Sequence, residues 1–458
     1  MNQTEESQEL KKALNPLNIW ALALGAIIGF GCFILPPDFL ADSGPFGIVI
    51  GLTVGALAMA LIGKNISFMV EKYPVAGGAF SFAYEVLGKR SGFICGWMLS
   101  LCYISLIAMN ATALGVLAQY LAPEIFTSGY MYTIAGWDVY LPQILLAVFF
   151  IVLFGIFNYR GGEIAGNIQL GMVVLMIIAV LLILVGTIFS PQASLSNLNP
   201  GFPTGTGAFS AILSMVALAP WLFVGFDTIP HAAEEFNFPA SKTFKLVVAS
   251  IAVGGIVYAV VSICTAMVWP WEEMVAKQYV WATGEALNLS VGRIGVVFLA
   301  VAICMGIFTG MNGFYLAASR LLMSMSREHI LPGWFGKIHA KYQTPSTSVI
   351  VAMIICLIAP FFGRTAIGWV VDMCSCGTAI AYLYTSLTAW KVIKKCKTQG
   401  ETSSLKEWVP VSGILCSIVI LCLLLIPGMP GSMGKESWIT LIVWSVLGVI
   451  FYLKESRK

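Results

Sequence analysis

Two ionisable side chains, Asp227 and His231, lie one helical turn apart in the otherwise apolar segment APWLFVGFDTIPHAA. At this spacing a carboxyl group and an imidazole share one helix face. Imidazole titrates near neutrality, so the pair has the chemistry to carry a proton. Pro220, Gly225 and Pro230 lie in the same segment and interrupt regular helical hydrogen bonding. The segment therefore predicts a broken helix with a carboxylate beside the break.

A second interrupted segment, NIWALALGAIIGFGCFILPP, places Gly25, Gly29 and Gly31 close together, with Pro36 and Pro37 just beyond them. This pattern predicts a discontinuous helix near the glycines. Taken alone, the spacing of four between the first two glycines is equally typical of a close-packing helix face. The break predicted around Asp227 favours the discontinuous interpretation.

Broken helices have a specific chemistry inside a membrane. Non-helical backbone at that depth is tolerated only where it is buried in protein or lines a cavity. The amides that begin a half-helix attract an anion, and the carbonyls that end one attract a cation. Such a site suits a zwitterion or a small amine.

The elements that position these groups are membrane spans. Of the 458 residues, 59% are hydrophobic and 10% are charged, whereas soluble domains average about 45–50% and about 25%. Spans of roughly 20 apolar residues are predicted near residues 17–41, 46–71, 92–121, 139–158, 167–189, 209–235, 243–269, 294–326, 345–363, 366–392, 409–427 and 436–453. The predicted fold class is thus an all-α integral membrane protein with twelve transmembrane helices.

The distribution of basic residues predicts the orientation. With the N-terminus inside, the outer loops hold only Lys277, Arg293, Arg364 and Lys435 of the 25 lysines and arginines. Cytoplasmic loops carry the basic excess, so both termini are expected in the cytoplasm and the protein in the cell (cytoplasmic) membrane. The N-terminal arm lacks the pattern of a signal peptide.

The two broken spans are the first and the sixth. An interval of five spans predicts a pair of five-helix inverted repeats, with a site where the repeats meet. The predicted organisation is a cytoplasmic arm at residues 1–16, a first repeat at 17–189, a second repeat at 209–392, and two further helices with the cytoplasmic C-terminus at 409–458.

Several motifs occur in order along the chain: GAIIGFG, PVAGGAFSFAYEVLG, AEEFNFP, and SRLLMSMSREHILPGWFGKI followed by TP. Together they resemble the amino acid, polyamine and organocation permeases. The segment WLFVGFDT is similar to the sixth helix of the arginine/agmatine antiporters, within the basic amino acid and polyamine antiporter branch. The resemblance implies the LeuT-like fold of 5+5 inverted repeats with helices 1 and 6 discontinuous.

The resemblance also implies a substrate site. Beside Gly29, the amides of Phe30 and Gly31 would bind a carboxylate. An ammonium would be bound by the carbonyl oxygens of Ile27, Trp221 and Val224. Trp221 would stack on the substrate as a gate. The further pocket residues would be Asn110, Asp227, Phe314 and one of Tyr382 and Tyr384.

Two departures from the family pattern restrict the expected substrate size and the expected coupling mechanism. The family's glycine-serine-glycine is Gly29, Phe30 and Gly31 here, which removes a hydroxyl group and disfavours large substrates such as arginine. Some proton-coupled members carry a lysine in helix five. Residues 167–189 contain neither Lys nor Arg, which excludes coupling by that lysine.

The sequence thus predicts a secondary permease, a symporter or antiporter, that moves an amino acid by alternating access with proton coupling or exchange. The expected partners are the substrate, protons and the lipid bilayer. A carrier for an amine or polyamine is the main alternative, and a channel is a more distant one. Asp227 has three open roles: proton coupling, pairing with a substrate ammonium, or capping the helix break. His231 is either a proton relay or a hydrogen-bonded structural residue.

Other functions find no support in the sequence. The formal net charge is +3 without a basic block, so no nucleic acid partner is expected. Three histidines without H-E-x-x-H, and the lack of a G-x-S-x-G elbow, argue against an enzyme. Cys374 and Cys376 have no neighbouring His or Cys pair, so neither a metal site nor a cofactor is predicted.

Overall fold

The computed structural model describes residues 12, 14–134, 136–277, 279–363 and 365–455. The predicted N-terminal arm lies almost entirely outside the described residues. The last three residues of the predicted cytoplasmic C-terminus and the outer-loop Arg364 also lie outside them.

The described chain is a bundle of helices. In chain order the α-helices are α1 Pro16–Ile28, α2 Gly31–Ile34, α3 Pro36–Lys72, α4 Ala79–Leu87, α5 Lys89–Leu121, α6 Pro123–Phe126, α7 Leu141–Arg160, α8 Gly162–Ile188, α9 Ala208–Ala217, α10 Ala219–Leu222, α11 Thr243–Val268, α12 Trp271–Ala276, α13 Ala282–Val291, α14 Arg293–Arg327, α15 Ser346–Cys356, α16 Thr365–Thr398, α17 Trp408–Leu425 and α18 Lys435–Glu455. Short 3-10 helices span Leu195–Leu198, Phe226–Glu235, Ala240–Lys242, Gly333–Gly336 and Ala359–Phe362.

Within the described residues, 8 helices are long and apolar enough to cross a membrane, by length and composition. They are α3, α5, α7, α8, α11, α14, α17 and α18. The shorter apolar helices α1, α9 and α15 fall on the predicted first, sixth and ninth spans, and α16 falls on the tenth. The protein is therefore a helical, multi-pass membrane protein.

The structure divides the first predicted span into shorter helices. The predicted span at residues 17–41 consists of α1, α2 and the beginning of α3. The helix α3 is itself kinked at Gly44, with φ 65° and ψ 170°. Glycine adopts a positive φ without a steric penalty, and Pro45 directly after it cannot continue the hydrogen bonds of the preceding turn. This kink separates the first two predicted spans.

The all-α prediction is incomplete because a hairpin lies between α6 and α7. Strands β1 (Tyr130–Ile134) and β2 (Trp137–Tyr140) pair antiparallel, in a stretch rich in aromatic and β-branched residues. The turn contains Gly136 at φ 79°. The Tyr132 hydroxyl donates to the Phe361 carbonyl at 2.6 Å, which ties the hairpin to the end of the ninth predicted span.

Burial separates central from peripheral helices. The helix α5 is buried along most of its length, whereas α18 leaves most of its apolar residues exposed. Two tryptophans fasten α18 to α5. The Trp97 indole donates to the Trp444 carbonyl at 3.0 Å, and the Trp444 indole donates to the Trp97 carbonyl at 3.1 Å. The helices α1, α5 and α14 carry long series of buried residues and are central in the bundle, whereas α18 is peripheral.

Candidate functional site

The first span is interrupted between Ile28, where α1 ends, and Gly31, where α2 begins. Gly29 has φ 44°, in the left-handed region that favours glycine. A Cβ atom at Gly31 would overlap the Trp221 ring. Both glycines are therefore required by the shape of the break.

The sixth span is interrupted as well. Helix α10 ends at Leu222, Gly225 has φ 138°, and a 3-10 helix then runs from Phe226 to Glu235. A Cβ atom at Gly225 would lie 2.6 Å from the Ile27 nitrogen. The two breaks, predicted five spans apart, are therefore in direct contact.

Asp227 lies buried at the second break. Its Oδ1 accepts the Gly225 amide at 2.7 Å, and its Oδ2 accepts the Tyr103 hydroxyl at 2.8 Å. Both carboxylate oxygens are thus engaged within the protein. This geometry caps the break and connects the carboxylate to α5.

Tyr103 also connects Asp227 to His231. The tyrosine hydroxyl lies 3.2 Å from His231 Nε2, and the two rings meet edge to face at 5.2 Å. His231 Nδ1 is buried and has no hydrogen-bond partner in the described part of the chain. A Cβ atom at Gly78 would lie 2.8 Å from Nε2, so the ring packs against the loop before α4. Carboxylate, phenol and imidazole form one continuous chain of titratable groups.

Aromatic rings line the first break. The Trp221 ring lies 6.1 Å from Phe30 and 6.5 Å from Phe39, measured between centroids. Phe314, on α14, stacks on Tyr103 at 6.0 Å. The structure therefore places three of the predicted aromatic residues, Phe30, Trp221 and Phe314, around the two breaks.

Three predicted site residues carry buried polar atoms that have no partner among the described residues. They are Asn110 Oδ1, Trp221 Nε1 and the Tyr382 hydroxyl. A Cβ atom at Gly29 would lie 3.6 Å from Asn110 Oδ1, which locates this acceptor at the first break. Buried polar groups usually have partners, so these atoms have unused capacity for a ligand's donors and acceptors.

The two alternative tyrosines of α16 have different surroundings. Tyr382 stacks on Phe226 at 5.5 Å and lines a small cavity together with Tyr103 and Asp227. Tyr384 is half-buried and lies two residues further, about 200° around the helix axis. The structure brings Tyr382, and not Tyr384, to the Asp227 cavity.

Two of the three predicted carbonyl ligands, those of Trp221 and Ile27, already have donors in this structure. The Trp221 oxygen accepts the Val224 amide at 3.3 Å. The Ile27 oxygen accepts the Tyr258 hydroxyl at 3.3 Å. Sequence reasoning missed Tyr103 and Tyr258. Each is a tyrosine within a long apolar stretch. Because a buried hydroxyl usually has a hydrogen-bond partner, this pattern could have indicated that each one makes a polar contact inside the bundle.

One face of the bundle contains a cavity of about 610 Å³. Its lining includes Phe39, Trp137 and Asp372, and it lies on the face that the topology prediction makes extracellular. Phe39 also contacts the Trp221 ring. These two aromatic residues therefore separate the cavity from the breaks.

The opposite face is closed by ion pairs. Arg320 Nε lies 2.9 Å from Glu235 Oε1, and both side chains are buried. Glu234 pairs with Arg327 at 3.2 Å and accepts the amide of Ala76, in the loop after the second predicted span, at 2.9 Å. These bonds join the end of the sixth span to α14.

A chain of neutral side chains joins α1 to its neighbours. Gln169 Nε2 on α8 donates to the Ala21 carbonyl at 3.3 Å and to the Thr309 carbonyl at 3.2 Å. Asn312 Nδ2 donates to Gln169 Oε1 at 3.0 Å. Uncharged amides thus connect α8, α1 and α14. No group of three or more His, Cys, Asp or Glu in the described ranges is arranged to hold a metal ion.

Two interrupted helices that contact each other inside the bundle, with a cavity on one face and ion pairs at the other, are the arrangement of a multi-pass membrane transporter. The chain belongs to the amino acid permease family, which matches residues 14–451. The resemblance to the amino acid, polyamine and organocation permeases is thereby confirmed, and the relatives below are transporters and not enzymes.

Three relatives match nearly the whole chain. The methylthioribose transporter of Bacillus subtilis (strain 168) is 25% identical over 99% of this chain and 95% of its own. The branched-chain amino acid permease BcaP of the same organism is 27% identical over 99% and 95%. The aromatic amino acid transport protein AroP of Escherichia coli (strain K12) is 24% identical over 99% and 98%.

Proposed function

We propose that the protein is a secondary permease for a neutral amino acid with an apolar side chain. The observation that carries this proposal is the set of buried charges. Among the described residues, the buried members of Asp, Glu, Lys and Arg are Asp227, Glu235 and Arg320. The last two pair with each other, and both Asp227 oxygens are bound within the protein. A charged substrate side chain would therefore be buried without a partner, which is strongly unfavourable.

The backbone and side chains at the breaks could bind the ammonium and carboxylate groups that all amino acids share. The carbonyl of Ile27 and the free Asn110 Oδ1 would accept from an ammonium. The amides of Phe30 and Gly31 would donate to a carboxylate. The rings of Phe30 and Trp221 would contact an apolar side chain. The names of the relatives BcaP and AroP, which refer to branched-chain and aromatic amino acids, support this substrate class.

The proposed mechanism is alternating access in a fold of twelve spans with inverted repeats at residues 17–189 and 209–392. The first and sixth spans rock against a scaffold of the third, fourth, eighth and ninth. Both termini lie in the cytoplasm, and the protein resides in the cell membrane. A cavity on one face and ion pairs on the other support this mechanism. Transport is coupled to protons through Asp227, Tyr103 and His231, or proceeds by exchange.

The rival functions have less support. A carrier for an amine or polyamine would need Asp227 to face the substrate, but its two oxygens accept from Gly225 and Tyr103. A channel would need a continuous pore, whereas the buried pair of Glu235 and Arg320 closes one face.

The proposal is tested by binding to the purified protein in detergent. L-leucine should raise the unfolding temperature, because a ligand at 100 times its dissociation constant adds about 2.7 kcal/mol to stability. The matched compound 3-methylbutylamine, which is leucine without its carboxylate, and L-arginine should give much smaller shifts. Equal or stronger stabilisation by the amine would contradict the proposal and favour the amine carrier.

Trp221 is expected to contribute directly to substrate binding. Trp221→Ala should weaken L-leucine binding by roughly 1–3 kcal/mol, on the scale of desolvated aromatic contacts. Isothermal titration measures this loss. The matched control is Trp97→Ala, which removes another packed tryptophan far from the breaks and should leave the affinity unchanged. Equal affinities in the wild type and Trp221→Ala would remove Trp221 from the site.

A further inference from the structure

The carbonyls at the end of α1 have an unusual donor. The last carbonyls of a helix have no partner within the helix, and Ile27 and Ile28 are the last two residues of α1. The Tyr258 hydroxyl, from α11, donates to the Ile27 oxygen at 3.3 Å and lies 3.4 Å from the Ile28 oxygen. One proton is thus shared between two buried acceptors at the first break.

Tyr258 lies at the junction of the cavity and the site. Its side chain is buried, and its ring lies 6.3 Å from the ring of Phe39, which lines the cavity. A Cβ atom at Gly31 would lie 3.2 Å from the Tyr258 hydroxyl. The hydroxyl therefore occupies the gap between α1 and α2.

We propose that the Tyr258 hydroxyl is a placeholder for the substrate's ammonium group, an inference that rests on the proposed function. Both groups are donors for the same carbonyl of Ile27. An ammonium is a charged donor and forms shorter and stronger hydrogen bonds than a neutral hydroxyl. The contacts of Tyr258, at 3.3 and 3.4 Å, are long for an O–H donor. The arriving ammonium displaces the hydroxyl from Ile27.

The placeholder has two consequences. In the empty transporter it satisfies carbonyls that would otherwise be buried without a donor, which is costly. During binding it competes with the substrate, so it raises the apparent dissociation constant. Tyr258 thereby sets the affinity of the site, and its effect requires an amino group on the ligand.

The test compares two ligands on purified full-length protein by isothermal titration. Tyr258→Phe should bind L-leucine about two- to tenfold more tightly, the range that corresponds to one net hydrogen bond. The affinity for 4-methylpentanoate, which is leucine without its amino group, should not change. The matched control is Tyr315→Phe, since Tyr315 is also buried and donates to the Ile151 carbonyl at 2.9 Å. That variant should bind leucine as the wild type does.

A second measurement separates the placeholder from a purely structural role. Tyr258→Phe should unfold at a lower temperature when empty and show a larger leucine-induced shift than the wild type. A structural role alone would lower both unfolding temperatures equally. Should this variant fail to fold, 3-fluorotyrosine at position 258 gives the opposite change, because its more acidic hydroxyl donates more strongly and should weaken leucine binding.

The two proposals fail differently. Unchanged or weaker leucine binding by Tyr258→Phe, or an equal gain for 4-methylpentanoate, overturns the placeholder while leaving the proposed function intact. Unchanged or tighter leucine binding with 3-fluorotyrosine also overturns it. No leucine binding by the wild-type protein overturns the proposed function and the placeholder with it.

Discussion

Asp227→Asn is expected to keep substrate exchange but to lose uphill, pH-driven accumulation. Asparagine resembles the neutral acid in shape, and its oxygen can still accept the Gly225 amide, now bound by Asp227 Oδ1 at 2.7 Å. It cannot release a proton toward Tyr103, which in the wild type joins Asp227 to His231. Uptake of labelled L-leucine into proteoliposomes, with and without a pH gradient, measures both activities.

The control for Asp227 is Asp372→Asn. Asp372 is a carboxylate at the edge of the large cavity and accepts the Ser437 hydroxyl at 2.7 Å, so its loss should leave coupling intact. If Asp227→Asn also lowers substrate exchange, with a loss of binding free energy of about 1.5–3 kcal/mol, Asp227 binds the substrate ammonium. Full pH-driven accumulation would leave Asp227 as a structural cap alone.

Gly31→Val and Gly29→Val are each expected to abolish transport while preserving membrane insertion. At Gly31 a Cβ atom overlaps the Trp221 ring. At Gly29 the φ of 44° is unfavourable for a β-branched residue. Either change forces α1, α2 or Trp221 away from the observed break. Leucine uptake in proteoliposomes, normalised to the amount of inserted protein, measures the effect.

Gly171→Val is the matched control for these variants. Gly171 lies within α8, and a Cβ atom there meets nothing within 4 Å, so the same substitution should be tolerated. Normal transport by both Gly29→Val and Gly31→Val would show that the break in the first span is dispensable, and the proposed site would have to be placed elsewhere.

The interrupted helices were predictable because their causes are local. Glycine and proline act on the backbone at their own positions, so the sequence around Gly29 and Gly225 was sufficient to predict both breaks. The length of the apolar runs also predicted where most of the apolar helices lie. The hairpin at Tyr130–Tyr140 was missed because its strands of five and four residues are much shorter than the apolar runs from which the spans were predicted.

The partners of the site residues depend on contacts that are distant in sequence. Tyr258 and Ile27 are 231 residues apart, and Tyr103 and Asp227 are 124 apart. A single tyrosine in an apolar span carries no periodic signal that indicates which neighbour its hydroxyl reaches. The choice between Tyr382 and Tyr384 was open for the same reason, because two residues apart on a helix means different faces.

The pairing of Leu14 with Phe236 has a mechanical consequence. The Leu14 amide donates to the Glu235 carbonyl at 3.0 Å, and the Asn237 amide donates to the Leu14 carbonyl at 3.1 Å. Two backbone bonds therefore join the chain just before α1 to the end of the sixth span. While these bonds hold, a displacement of either interrupted span would be transmitted through them to the other.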